Sequence, residues 1–162
     1  GGSSGWTNQV SYGSGGGGAG GYGEGTITLR QNVTYDISVG PGGCGKLTNG
    51  PGGNPGVDSY IKGSDGTECR SYSGGCGVRS YPNSNMGNNS NNGLTSGSTG
   101  GGAFETGSQK HPTQFTFEPL GGLTTNPNNI GTINMSYFAN KGGNGNEGGG
   151  SGGGAGGPGL SG

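Results

Sequence analysis

His111 is the one histidine of the chain, and it stands in Lys110-His111-Pro112, a polar loop context. A general base or a metal ligand needs partner groups at a workable spacing, and none lies nearby, so His111 reads as a surface residue. Gly-x-Gly-x-x-Gly matches fall inside the glycine runs. The dinucleotide-binding motif follows a strand and opens a helix, and no helix follows here; no Walker lysine-serine ending is present either. No residue is therefore assigned to catalysis, cofactor binding or metal binding, and no cofactor is expected. The chain reads as scaffold or surface, not as an enzyme.

Cysteine chemistry is the next candidate. Cys44 and Cys76 share the local string Gly-Gly-Cys-Gly, whereas Cys69 lies alone in a strand candidate. In an oxidising extracellular setting the odd set fits one disulfide and one free or buried thiol. The shared context makes Cys44 and Cys76 the expected pair, provided that their Cα atoms lie within about 7 Å. A zinc site would want a fourth ligand and closer Cys-x-x-Cys spacing. Asn32, Asn88 and Asn134 each open a glycosylation sequon, which matters only along a eukaryotic secretory route. Of Trp6, Tyr12, Tyr22, Tyr60, Tyr72, Tyr81 and Tyr137, the first three lie directly beside glycine. All of these aromatics read first as covers for glycine-rich backbone, and second as a surface for carbohydrate or protein.

Short extended elements must position these residues. Ile27, Leu29, Tyr35, Ile37 and Val39 sit two apart within two arms, with Gln31 and Asn32 between them, which predicts an antiparallel hairpin over 25–40. Residues 57–62 (VDSYIK) and 67–73 (TECRSYS) predict a second hairpin across 63–66. Residues 113–119 and 132–139 alternate well and read as late strands, and residues 6–12 hold a further strand candidate. Glycine and proline are too dense for any helix beyond a turn or two.

Glycine supplies 48 of the 162 residues, and Leu, Ile, Val and Phe together supply only 20. A large aliphatic core is out of reach, and glycine loses the most backbone entropy on folding. Disorder by composition also requires a high net charge, yet the formal charge is −1. Order must then come from backbone hydrogen bonds, close packing or neighbouring chains. Seven basic and eight acidic residues are scattered without runs, which leaves no electrostatic footprint for nucleic acid. No stretch is apolar enough to span a membrane. The chain does not open on Met, and reads as a processed product or a part of a longer one.

A sustained Gly-x-y period is missing, so collagen is rejected. The glycine runs at 15–21, 40–56, 74–77, 100–102 and 142–159 fit polyglycine II instead, a three-residue-per-turn helix with outward N–H and C=O groups, near φ of about −75° and ψ of about +145°. Side by side, such segments satisfy one another's backbone groups, and the missing Cβ permits close Cα–H···O approach.

The order of parts resembles the glycine-rich domain of bacteriophage tail-fibre and related virion-surface proteins. The resemblance rests on GGGGAGGY at 15–22, GTITL at 25–29, TYDISV at 34–39 and GPGG at 40–43, followed by a glycine loop, a short strand pair at 44–77 and the glycine tract at 142–159. It is good over 15–77 and loose over 103–141, where an extra strand-forming insert stands; the three cysteines also depart from the pattern. It implies a polyglycine-II scaffold and a place on a virion surface, and it extends to phage tip adhesins, whose loops touch the host.

The expected fold is a single glycine-rich domain over 1–162, all-β, combining short antiparallel hairpins with a bundle of polyglycine-II segments and no substantial helix. Residues 81–102 are expected as an exposed polar loop and 142–162 as a glycine tract. The expected function is structural: a virion fibre, spike, decoration or adhesin domain that self-associates and touches a host glycan or protein. A subunit of an extracellular glycine-rich filament and an ice- or glycan-binding module are the alternatives. Few large apolar residues and glycine-rich ends favour self-association.

Overall fold

The computed structural model describes residues 12–13, 15–43, 56–76, 97–98, 104–105, 120–129, 131–143, 153–154 and 156–161. The fold is all-β, with no helix among the described residues. Its strands are Tyr12–Gly13 (β1), Tyr22–Ile27 (β2), Tyr35–Ser38 (β3), Ser59–Gly63 (β4), Glu68–Ser71 (β5), Phe104–Glu105 (β6), Gly122–Thr125 (β7) and Ile133–Phe138 (β8). All pairings are antiparallel: β1 with β6, β2 with β8, and a four-stranded sheet in the order β3-β4-β5-β7.

The hairpin expected across 63–66 forms as β4–β5. Its turn is made by local chemistry: Gly66 adopts φ 87°, its N–H donates to the Gly63 carbonyl at 3.0 Å, and Thr67 N–H donates to Asp65 Oδ1 at 3.0 Å. The strand expected within 132–139 forms as β8. The strand expected at 113–119 lies outside the described residues, as does most of the one at 6–12.

The hairpin expected over 25–40 does not form. Both arms are strands, but they belong to different sheets. Residues 22–27 pair with 138–133, and Thr28 N–H continues that ladder to the Thr132 carbonyl at 2.9 Å. Residues 35–38 pair with 63–60. The connection between them turns at Gln31 and Asn32, with Asn32 at φ 63°. The Arg30–Asp65 ion pair pins it to the β4–β5 turn, and Arg30 N–H donates to the Tyr35 hydroxyl of β3 at 3.0 Å. Alternation identifies a strand but carries no information about its partner.

The two larger sheets stack in part. Tyr137 of β8 reaches β7, where its hydroxyl donates to the Leu123 carbonyl at 2.8 Å and lies 2.8 Å from Thr124 Oγ1. Glycine permits this closeness: a Cβ on Gly122 would run into the Tyr137 ring. The β2–β8 ribbon thus covers the β5–β7 half of the four-stranded sheet and leaves the β3–β4 half open. On the opposite face, Arg70 lies over the Tyr60 ring at 5.3 Å and is held by Glu68 (2.6 Å) and Asp58 (3.2 Å).

Among the described residues no Leu, Ile, Val or Phe is buried; the buried apolar side chains are Cys69, Tyr72 and Cys76. The longest buried run, residues 72–76, is itself glycine-rich. The interior that the described residues form is therefore largely backbone.

Candidate functional site

The segment that leads into β2, residues 15–21, lies outside any strand and is partly buried. Gly18 N–H donates to the Gly75 carbonyl at 2.8 Å and Gly21 N–H to the Tyr72 carbonyl at 2.8 Å, while Ala19 N–H donates to the Gly153 carbonyl at 2.9 Å. A third segment joins them. Gly75 N–H donates to the Ser98 carbonyl (2.9 Å), Gly97 N–H to the Ser73 carbonyl (2.9 Å), and Ser98 N–H to the Ala19 carbonyl (3.0 Å). Segments 18–21, 72–75 and 97–98 are thus each hydrogen-bonded to the other two. A single pleated sheet cannot close such a triangle, because a strand serves at most two neighbours lying on opposite sides.

Side chains are excluded from this cluster by space. A Cβ on Gly74 would meet the Gly18 carbonyl oxygen and the Ala19 backbone, and one on Gly97 would meet Gly21 N and the Tyr72 carbonyl oxygen. The same holds where the late chain joins: a Cβ on Gly153 would strike the Asn140 carbonyl, and one on Gly143 the backbone of Leu160 and Ser161. Asn140 ties the late segments to the cluster, donating its N–H to Ser98 Oγ at 3.1 Å and its side-chain amide to the Gly154 carbonyl at 2.7 Å. Ser98 is 0% exposed. It falls within the polar tract 81–102 read as an exposed loop, so that tract contributes at least Gly97 and Ser98 to the interior. Nothing local in its sequence marks them, since the groups used are backbone N–H and C=O.

Of the cysteines, the sequon asparagines and His111, the structure describes four: Asn32, Cys69, Cys76 and Asn134. Cys76 is buried, 3% exposed, at the end of the central segment, and Cys44 lies outside the described residues. Cys69 is a buried free thiol on β5. Asn32 is exposed in its turn and Asn134 is exposed on β8, paired with Thr26; Asn88 and His111 lie outside the described residues. No cluster of three or more His, Cys, Asp or Glu able to hold a metal occurs among the described residues. No helix among them is long and apolar enough to cross a membrane.

The tyrosines differ in burial. Tyr72 is buried in the cluster. Tyr22 is exposed, its ring centroid 6.1 Å from that of Phe138, and its hydroxyl donates to Glu24 Oε2 at 3.0 Å. Tyr22, Glu24, Phe138 and Gly156 line an open groove of about 390 Å³.

Burial pushes the phenols of Tyr72 and Tyr137 above their ordinary value. A raised folded-state pKa contributes stability that is complete below the unfolded value of about 10 and is lost as pH rises through the folded one. Thermal melts should therefore hold steady from about pH 8 to about pH 9.5 and fall above about pH 10. Tyr137→Phe should flatten that fall; an alkaline limb of unchanged slope would remove Tyr137 from it. Compared with family models, curated proteins and solved structures, the chain matches none.

Proposed function

We propose that this chain is a non-enzymatic structural component of a virion or other extracellular surface, a fibre, spike, decoration or adhesin domain whose glycine segments run as polyglycine II and whose copies associate. One observation carries the scaffold: the period of three in the glycine hydrogen bonds. Gly18 and Gly21, three apart, both donate to segment 72–75, while Ala19 donates to a different segment. Reciprocally, the Tyr72 and Gly75 carbonyls, three apart, both accept from segment 18–21, while the Ser73 carbonyl accepts from Gly97. A pleated strand repeats every two residues and a three-fold helix every three. A bundle of this kind is inert, needs no aliphatic core, and frees its loops to vary or to touch a host. The resemblance to tail-fibre domains supports the location.

Negative-stain imaging of the native assembly tests it. Closed oligomers borne on a particle are expected; open helical polymers would move the reading to a glycine-rich filament, since non-closing contacts make fibres.

A glycan-binding module is the second reading, favoured by the exposed Tyr22–Phe138 pair beside the Glu24 carboxylate. On that reading Tyr22→Ala abolishes retention on an immobilised glycan while leaving the melt unchanged. A Tyr22→Ala chain retained like the parent would dismiss it.

A further inference from the structure

The four-stranded sheet has two unequal edges. At β7 the ribbon closes in: Tyr137 bonds Leu123 and Thr124, and Gly121 packs against the Phe138 backbone. At β3 no described strand follows. Ser64 N–H donates to the Thr34 carbonyl and Gly63 N–H to the Thr67 carbonyl, which sets the alternation across β4: its even residues serve β3 and its odd residues serve β5. Residues 34, 36 and 38, at and just before β3, consequently face β4. The N–H and C=O groups of Tyr35, Ile37 and Val39 face outward, with no hydrogen-bond partner among the described residues. The same edge presents apolar side chains to solvent. Ile37 is 72% exposed and Val39 84% exposed, and both border a groove of about 260 Å³ that Ile61, Met135 and Tyr137 also line. Natural edge strands are usually blunted by lysine, proline or a bulge. This one carries Asp36 on the far face and is otherwise open.

We propose that β3 is a self-pairing edge, where a second copy of this chain adds its own β3 antiparallel and joins the two four-stranded sheets into one. The strand's own sequence selects the occupant and the register. With Ile37 opposite Ile37 on a two-fold axis, Tyr35 of each copy faces Val39 of the other, and Asp36 faces Ser38. All outward backbone groups of Tyr35, Ile37 and Val39 are then satisfied, and the open apolar face continues across both copies. A shift one way places Asp36 directly opposite Asp36, which is unfavourable. A shift the other way places Tyr35 opposite Pro41, which has no N–H to give. The proposal rests on the assembling-protein reading and locates its contact on a strand edge.

The test uses light scattering and cross-linking on the full chain. The parent should associate reversibly. Ile37→Lys should weaken the dimer roughly a hundredfold by removing two apolar side chains and opposing two charges; its melt should hold, because the replaced side chain is mostly exposed. Ile37→Cys should trap the dimer under mild oxidation, since a hydrogen-bonded antiparallel pair stands about 5.5 Å apart at Cα, within disulfide reach. Asp36→Cys should not trap it beyond the parent's own background. A parent that associates while Ile37→Lys associates equally and Ile37→Cys traps nothing would overturn the β3 edge and leave the assembly reading standing. A parent that stays monomeric at every concentration would overturn both.

Discussion

Replacing Gly74 by alanine should cost the fold about 3 kcal/mol, enough to move a denaturant midpoint far outside error and to unfold a marginal chain. The methyl group has nowhere to go. It would lie against the Gly18 carbonyl oxygen and the Ala19 backbone, and both belong to the segment that hydrogen-bonds Gly75 and Tyr72. A flexible side chain could yield; main chain locked on several sides cannot. Gly156 supplies the control. A Cβ there meets nothing within 4 Å and its φ is unremarkable, so Gly156→Ala should be neutral or stabilising by up to about 1 kcal/mol through the unfolded state. Equal midpoints for the two variants would mean that the glycine segments are not packed as described.

Asp58→Ala, just before β4, should be among the most damaging single side-chain deletions next to the four-stranded sheet, about 2 kcal/mol. Its carboxylate joins sheet to glycine cluster. Oδ1 accepts from Ser73 N–H at 2.7 Å, in the central buried segment, while Oδ2 takes Arg70 at 3.2 Å. Arg70 keeps Glu68 and the Tyr60 ring, so the ion pair alone matters less; partly exposed pairs contribute little. Asp58→Asn retains an acceptor for Ser73 and should recover about half of the loss. If asparagine and alanine destabilise equally, the Ser73 bond adds nothing and the effect is ionic. Added salt would then reproduce it in the parent chain.

How much of this was legible varies with what each element is made of. The β4–β5 hairpin was legible because alternating VDSYIK and TECRSYS flank a Ser-Asp-Gly turn whose chemistry is local. Residues 133–138 were legible for the same reason. The pairing of β2 with β8 was not: Tyr22–Ile27 and Ile133–Phe138 are far apart in sequence, and the stronger local signal, two arms around Gln31 and Asn32, pointed to a hairpin. Strand β7 escaped because Gly-Leu-Thr-Thr carries almost no alternation. The alternation of Ile37 and Val39 marked a strand arm but not what covers it, and both side chains are exposed. Within the glycine cluster, the runs 15–21 and 74–77 were legible as segments that hydrogen-bond to one another, as Gly18 and Gly75 do. Gly97 and Ser98 were not, because they enter through backbone groups that every residue carries.

Amide hydrogen exchange resolved by residue tests the glycine cluster most directly. The amides of Gly18, Ala19, Gly21, Gly75, Gly97 and Ser98 each donate to a carbonyl of another segment. They should be protected to the same degree as the β4–β5 amides and should exchange with them in one cooperative opening. Gly156, which is exposed, should exchange fast. Exchange of the cluster amides at unfolded-chain rates, with the β4–β5 ladder still protected, would contradict the account and reduce the glycine segments to linkers between strands.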